Sequence, residues 1–460
     1  MIVLKNIVDK ISGMRFMIEN LEICSSMATH HLLSQHYYTS NNSLSTEFDN
    51  IESMLSIINN ENKLDTLNDI KIKLSHILDI KGTINNISNA QVLDDIQLFE
   101  IKRFAILVSD ISILLNKINC TLVNLPNVDK VIEILDPDKK RISHFYIYPS
   151  YNSKLSDLRK KYESVKNEDP TLAEEIRLQC LEIEDKIRMN LSRQLLEFAN
   201  NLMTAIHKVA YLDILIAKAN QAKQLKLTKP TISKSQTNYK GIFNPQIKHL
   251  LNQKNKDFQH INICLHNSPC LITGANMAGK TVVLKTVSLA QYLFQFGFYV
   301  PAQQAEIKPV EDILLSIGDD QSEMTGLSSF AAEMLTINTI IKAVKSEKNV
   351  LILIDELART TNPQEGGAIV NATIDILNKH KAMGLITTHY SGLNTKCRKL
   401  RVKGLIMDKL NKNITIENIN DFMDYSLIEN NDENVPMEAL KIAEVLGVDN
   451  TLLKTAKEYI

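Results

Sequence analysis

Tryptophan is absent from this 460-residue chain, and Phe and Tyr together make only 6% of it. Surfaces that hold nucleic-acid bases mainly by ring stacking need more aromatics than this. Net charge is lacking too: 52 Lys and Arg stand against 53 Asp and Glu, a formal −1. A protein that gripped a phosphate backbone by bulk charge would be basic, so any such attraction must come from a local stripe. No apolar run approaches the ~18 residues that cross a membrane. The opening MIVLKNIVDKISGMRFM has no continuous apolar stretch and no small-residue cleavage site. The expectation is a cytoplasmic protein with no membrane association. The six cysteines, Cys24, Cys120, Cys180, Cys264, Cys270 and Cys397, contain no Cys-x-x-Cys pair and form no zinc-like cluster with His. They read as free thiols in a reducing compartment. What remains, 44% apolar and 23% charged, is ordinary for a folded protein of two or three domains.

Glycine is nearly missing up to about Leu225, and there apolar residues recur at three and four. Leu191, Leu195, Phe198, Leu202, Ile206, Val209 and Ile216 keep that spacing, interrupted by Asp213, which predicts one long amphipathic helix. Its start is expected after Asp169, where Pro170 suits a first helical position and Glu174 and Glu175 a first turn. Further helices are expected over 96–118 and 154–164. Leu135-Asp136-Pro137 and His144-Phe145-Tyr146-Ile147-Tyr148-Pro149 mark an irregular crossover, and the Ser/Asn/Thr-rich 39–47 a loop. From Lys226 to Lys240 the chain turns polar, with Pro230, as at a domain boundary. Beyond it, short apolar runs such as 270–273, 350–354 and 384–387 suit strands of a parallel sheet buried on both faces.

Chemistry concentrates in this second half. Gly274-Ala275-Asn276-Met277-Ala278-Gly279-Lys280-Thr281 matches the phosphate-loop pattern G-x-x-x-x-G-K-[ST], after a strand signal and before a helical one. Its glycines let backbone N–H groups turn toward phosphates at a helix N-terminus. Lys280 would reach the β- and γ-phosphates, and Thr281 would ligate Mg²⁺. About seventy residues on, the run 350–354 ends in Asp355-Glu356, two carboxylates that need a cation or a water network at a buried strand end. Asp355 suits the Mg²⁺ shell and Glu356 the polarisation of an attacking water. Ser328 and Ser329 precede a helical run and read equally as a helix cap or as a group facing a nucleotide on another protomer. His389, in Thr387-Thr388-His389-Tyr390 after a further strand, suits a switch that senses the γ-phosphate.

GANMAGKT, GLSSFAAEM, LILIDELARTT and ITTHY, in this order and spacing, resemble the ATPase of the MutS family. The resemblance runs from about Leu74 to the C-terminus. Leu93-Asp94-Asp95 with Leu98-Phe99-Glu100-Ile101-Lys102 is similar to that family's lever segment, and 435–447 to its C-terminal helix-turn-helix. It implies an α plus α/β architecture: a helical core or lever domain over 1–225, a linker over 226–240, a P-loop ABC-type ATPase over 241–430, and a C-terminal helical dimerisation element over 431–460. It implies ATP hydrolysis with Mg²⁺. The catalytic residues would be Glu356 and His389. The nucleotide would be held by Gly274, Asn276, Met277, Gly279, Lys280, Thr281 and, across a homodimer or heterodimer, Ser328 or Ser329. The metal would be held by Thr281 and Asp355. ATP binding would close the dimer and swing the levers.

Several family features are missing from the sequence. No mismatch-reading Phe-x-Glu segment is found, and only about twenty residues separate Leu158-Arg159-Lys160-Lys161 from the helix after Ile183, where a DNA clamp would be inserted. Asn244-Pro245 stands for His-Pro, and Ala358-Arg359-Thr360-Thr361-Asn362 for a Gly-rich turn; Gly318-Asp319-Asp320-Gln321-Ser322 is closer to members that do not repair mismatches. The family-default client is mismatched or branched duplex DNA, reached through Arg159, Lys160, Lys161 and Arg188, and the reading here is weak DNA binding. The alternative client is a protein: the layout, with Asp421-Phe422-Met423-Asp424-Tyr425-Ser426-Leu427, also resembles the reactivating ATPase of lysine 5,6-aminomutase, gripping through Phe145, Tyr146 and Tyr148.

Overall fold

The computed structural model describes residues 2–142, 146–274, 279–317, 329–390, 392–406, 419–430, 439–445 and 447–459. Phe145, Asn276, Met277, Ser328, 318–322, 435–438 and Leu446, all singled out in the sequence, lie outside them. The fold is mixed, helical and α/β, with two mixed sheets among the described residues. Contacts divide it into two interleaved units. One takes Leu21–Gln35 and Asn50–Asn220; the other takes Met1–Asn20, His36–Asp49 and Gln221–Ile460.

The first unit is helical. Asp95–Lys117 begins at a capping box in which Asp94 and Gln97 satisfy each other's backbone N–H, and it buries Leu98, Ile101, Phe104, Ala105, Val108, Ile111 and Leu115 at three-and-four spacing. Asn152 caps Ser153–Val165. Asp169 caps Pro170–Leu195, accepting the N–H groups of Thr171 and Leu172. These two helices form an antiparallel hairpin across a four-residue link, 166–169. The single long helix expected from Pro170 onward is broken: Leu196–Phe198 is a 3₁₀ turn, and the α-helix resumes over Ala199–Gln224. No Pro or Gly marks the break, so periodicity runs straight through it. Asp213, the interruption in the apolar stripe, is buried. It accepts the N–H groups of Cys24 (3.0 Å) and Ser25 (2.8 Å) and the Ser25 hydroxyl (2.7 Å), and so anchors the start of the Ser26–Leu33 helix.

Three expectations are corrected. The 39–47 stretch is not a loop: a helix runs over Asn41–Ile58, because Leu44, Phe48, Ile51 and Met54 give it a buried stripe that outweighs weak local propensity. The polar stretch 226–240 is not simply a linker, because it carries strands. Tyr148 is not part of a gripping surface. It is fully buried, its hydroxyl donating to Asp136 Oδ1 (2.5 Å) and accepting from the equally buried Lys102 Nζ (2.8 Å).

The second unit carries β1 (Thr231–Ile232), β2 (Thr237–Ile242), β3 (Ile261–Leu265), β4 (Pro269–Thr273), β5 (Gln304–Ile307), β6 (Asp312–Ser316), β7 (Val350–Ile354), β8 (Met383–Thr387), β9 (Arg398–Leu405) and β10 (Met423–Glu429). The smaller sheet runs β1-β5-β2-β3; the larger runs β10-β9-β4-β8-β7-β6, parallel except for β10. Val350, Ile352 and Ile354 of β7 pack with Ile337, Ile340, Val370, Ile374 and Leu377 from the helices Ser329–Lys345 and Pro363–Lys379. Their neighbours Leu351 and Leu353 are equally buried, which explains an unbroken apolar run rather than an alternating one. The segments 1–20 and 36–49 pack within this unit. Gly13 takes φ +87°, and a Cβ on it would stand 2.8 Å from Leu289 Cδ2. The Tyr38 N–H donates to Gln295 O at 2.8 Å, and the Phe48 and Phe294 rings lie 5.5 Å apart.

Candidate active site at the strand ends

Parallel pairing brings the carboxyl ends of β4, β8 and β7 level, with β8 in the middle; Ile272 pairs with Thr387 and Ile354 with Ile386. Ligands of open α/β sheets gather at this edge. From β4 the chain passes Gly274 (φ +146°) and Gly279 (φ +79°) into the helix Lys280–Gln295. Both angles favour glycine. Lys280 is 4% exposed, and its Nζ donates to Gly274 O at 2.7 Å and lies 3.9 Å from Glu356 Oε1. Burial lowers its pKa, with Glu356 and Asp355 pushing the other way.

Thr281 Oγ1 donates to Asp355 Oδ2 at 2.6 Å, so these two groups from different elements meet directly. Thr387 Oγ1 donates to Asp355 Oδ1 at 2.6 Å and accepts the Glu356 N–H at 2.8 Å. Glu356 takes φ +48° and Ala358 φ +61°, an uncommon conformation for residues with a Cβ and one typical of functional turns. The turn is tied down: Ala358 N–H donates to Glu333 Oε1 (2.8 Å), and Ala358 O accepts the Tyr390 hydroxyl (2.6 Å). Arg359 Nη1 reaches Glu356 Oε2 at 3.3 Å. His389 is solvent-exposed, its ring 4.3 Å from that of Tyr390. Loss of solvent around part of the ring lowers its pKa, and the Glu356 charge pushes the other way.

Gly274, Lys280, Thr281, Asp355 and Glu356 thus meet, Gly279 precedes the helix that carries two of them, and His389 follows the end of β8 by two residues. Ser329 opens the Ser329–Lys345 helix, whose Glu333 touches the same turn. The donor set is the kind that suits a phosphate with a hard divalent cation: an ammonium, a hydroxyl and two carboxylates around a glycine-hinged helix start. Two residues that the sequence motifs include, Thr387 and Tyr425, carry no role there and gain one here. Thr387 acts across strands, through pairings no local pattern displays. Tyr425 on β10 stands beside Gly279, 3.1 Å from where a Cβ on it would lie, its N–H fixed by Gln259 Oε1 at 2.9 Å.

Comparison with known proteins bears on this site. Residues 270–460 match the family model described as MutS domain V. The chain is 32% identical over 320 residues to Endonuclease MutS2 of Fusobacterium nucleatum subsp. nucleatum, a match covering 68% of this chain and 36% of that protein. It is 31% identical over 280 residues to Endonuclease MutS2 of Caldanaerobacter subterraneus subsp. tengcongensis (60% and 33%). It is 35% identical over 206 residues to Endonuclease MutS2 of Lactobacillus acidophilus (44% and 25%). The matched stretch spans about a quarter to just over a third of these relatives. The family model begins at the strand that feeds the glycine-hinged helix start, and residues 270–460 of this chain belong to the MutS domain V family, an ATPase family.

Proposed function

We propose that this chain is an ATP-hydrolysing member of its family, with Gly274–Thr281 as the phosphate loop. The observation that carries the reading is the meeting of Thr281 with Asp355 at 2.6 Å, beside the buried Lys280 and the strained Glu356. Asn276, Met277 and the N–H groups around Gly279 cradle the phosphates, and Lys280 neutralises charge on the terminal group. Thr281 and Asp355 hold Mg²⁺, which offsets charge on the phosphate oxygens when bound. Glu356 takes a proton from the water that attacks the terminal phosphorus; the bond to the bridging oxygen breaks, and ADP and phosphate leave. His389 reports on the terminal phosphate.

In this reading two copies, or one copy and a related chain, pair head to tail through 431–460. Ser328 or Ser329 of each reaches the other's nucleotide. ATP closes the pair, hydrolysis reopens it, and the helices within 1–225 move as levers. The client is duplex DNA, in line with the endonuclease name of the relatives. Binding is weak, because two of the expected cations are already engaged: Arg159 with Glu184 (2.8 Å) and Arg188 with Asp95 (2.8 Å) and Asp185 (2.6 Å). The names of the relatives give an aminomutase client no support.

The test is turnover with a trapped state. Glu356→Gln should bind ATP, hydrolyse it at least ~10²-fold more slowly, and sediment as a tight dimer with ATP. Lys280→Ala should lose nucleotide binding. Unchanged turnover in Glu356→Gln removes it as the base, and a monomer at saturating ATP removes the composite site.

A further inference from the structure

Thr387 ends β8, the strand lying between the loop-bearing β4 and the carboxylate-bearing β7. It is fully buried, and its side chain has one proton to give and lone pairs to receive. The proton goes to Asp355 Oδ1 at 2.6 Å, and a lone pair takes the Glu356 N–H at 2.8 Å. One hydroxyl therefore fixes the carboxylate of one residue and the backbone of the next. The other Asp355 oxygen is fixed by Thr281 Oγ1 at 2.6 Å, so both oxygens are held from opposite sides and the carboxylate plane is set. Glu356 sits at φ +48°, a conformation a residue with a Cβ does not hold unaided. Its N–H bond to Thr387 is one tether. The Ala358 bonds to Glu333 and Tyr390 are two more, further round the turn.

We infer that Thr387 is a positioning residue for the ATPase site: it orients Asp355 toward the metal and holds Glu356 in its left-handed turn. The inference rests on the ATPase reading and goes beyond it, since neither the phosphate-loop pattern nor the Asp-Glu pair requires a hydroxyl on the neighbouring strand. Valine would match threonine in shape and leave Asp355 Oδ1 and the Glu356 N–H without this partner in a buried place. Serine would keep the hydroxyl and lose only the methyl.

The experiment compares wild type, Thr387→Val and Thr387→Ser, with folding checked by thermal unfolding. Three quantities are read: ATP turnover against Mg²⁺ concentration, Mg²⁺-dependent binding of a fluorescent ATP analogue, and hydrogen exchange at the Glu356 amide without nucleotide. Groups that orient metal ligands typically contribute 10–100-fold. Thr387→Val is therefore expected to raise the Mg²⁺ concentration needed for binding and to lower kcat, each by about 10-fold or more. Its Glu356 amide should exchange faster, and Thr387→Ser should restore all three. A valine variant matching wild type in Mg²⁺ requirement and amide protection overturns the proposal while the ATPase reading stands. So does a serine variant as impaired as valine, which would make the methyl the contributor. A wild-type chain that binds no Mg²⁺-nucleotide overturns the ATPase reading itself, and the metal-orienting role with it.

Discussion

Two buried lysines invite comparison. Lys102 in the helical unit and Lys280 at the strand ends are almost wholly removed from solvent, and each stands near a carboxylate. Around Lys102 the polar groups close on one another. Its Nζ donates to Tyr148 (2.8 Å), Tyr148 donates to Asp136 (2.5 Å), and Asp136 also takes the Arg141 N–H (2.8 Å). Burial pushes the Asp136 pKa up, yet the bonds from Tyr148 and the Arg141 N–H and the Lys102 charge outweigh it, and the net shift is down. Around Lys280 the balance is opposite: burial dominates, Glu356 and Asp355 offset it only in part, and the net shift disfavours the ammonium. The first cluster stabilises the Asp136 carboxylate, and at the second burial disfavours the Lys280 ammonium. Burial of a lysine is thus no guide to function; what sets Lys280 apart is its place at a helix start beside Thr281, Asp355 and Glu356.

Removing each ammonium in turn should separate the two clusters most strongly. Lys102→Met leaves Asp136 buried without its cation and should destabilise the protein by about 3–5 kcal/mol in urea unfolding. Lys280→Met removes a charge the fold disfavours. It should leave stability within about 1 kcal/mol of wild type or higher, and abolish nucleotide binding. Equal destabilisation by the two would erase the distinction.

A smaller effect sharpens it from the backbone side. Gly366 lies in the Pro363–Lys379 helix, and a Cβ there would meet Tyr390 Oη at 2.1 Å, the hydroxyl that holds Ala358 O in the turn after Glu356. Gly366→Ala must displace that rigid ring. It should lose about 1–3 kcal/mol and lower kcat more than nucleotide affinity. Gly367→Ala is the control, because its nearest neighbour would be an ordinary 3.8 Å away. If both variants turn over like wild type, the Tyr390 tether does not support the turn.

The two regions also differ in how much of them the sequence discloses. Strands β4, β7 and β8 appear as short apolar runs because both their faces are covered, and Lys280, Thr281, Asp355 and Glu356 carry spacings tied to their chemistry. The Asp94 and Asp169 caps likewise mark their helices. What stays hidden depends on distant partners. The Asn41–Ile58 helix begins in polar residues and is justified only by what its apolar stripe packs against. β1 and β2 look like a boundary because the strands that pair with them, β3 and β5, come later in the chain. Tyr148 looks like surface because the two groups that saturate its hydroxyl are 46 and 12 residues away. Thr387 hides for the same reason, its bonds spanning 31 and 32 residues.

The smallest expected effect concerns DNA, and it extends the comparison to the surface of the helical unit. Arg159 also donates to Ile147 O (2.7 Å), so it is matched locally, as Lys102 is in the interior, while Lys160 is exposed at 4.0 Å from an equally exposed Asp157. Matched cations release few counterions from a duplex, and affinity should stay in the non-specific range of about 10⁻⁴ to 10⁻⁶ M with a shallow salt slope. Lys160→Ala with Lys161→Ala should flatten that slope by less than the roughly 0.9 per phosphate contact expected of an engaged cation. The hairpin link 166–169 leaves no insert between its helices to encircle DNA, so matched and mismatched duplexes should bind alike. The measurement is a titration of matched duplex, mismatched duplex and four-way junction at two salt concentrations, with ATP turnover followed in parallel. Nanomolar binding to junction or mismatch, or a steep slope abolished by the two lysine changes, would show unmatched cations on this face and end the parallel with Lys102. Turnover indifferent to all three DNAs but raised by a cobalamin-dependent aminomutase would move the client from DNA to protein.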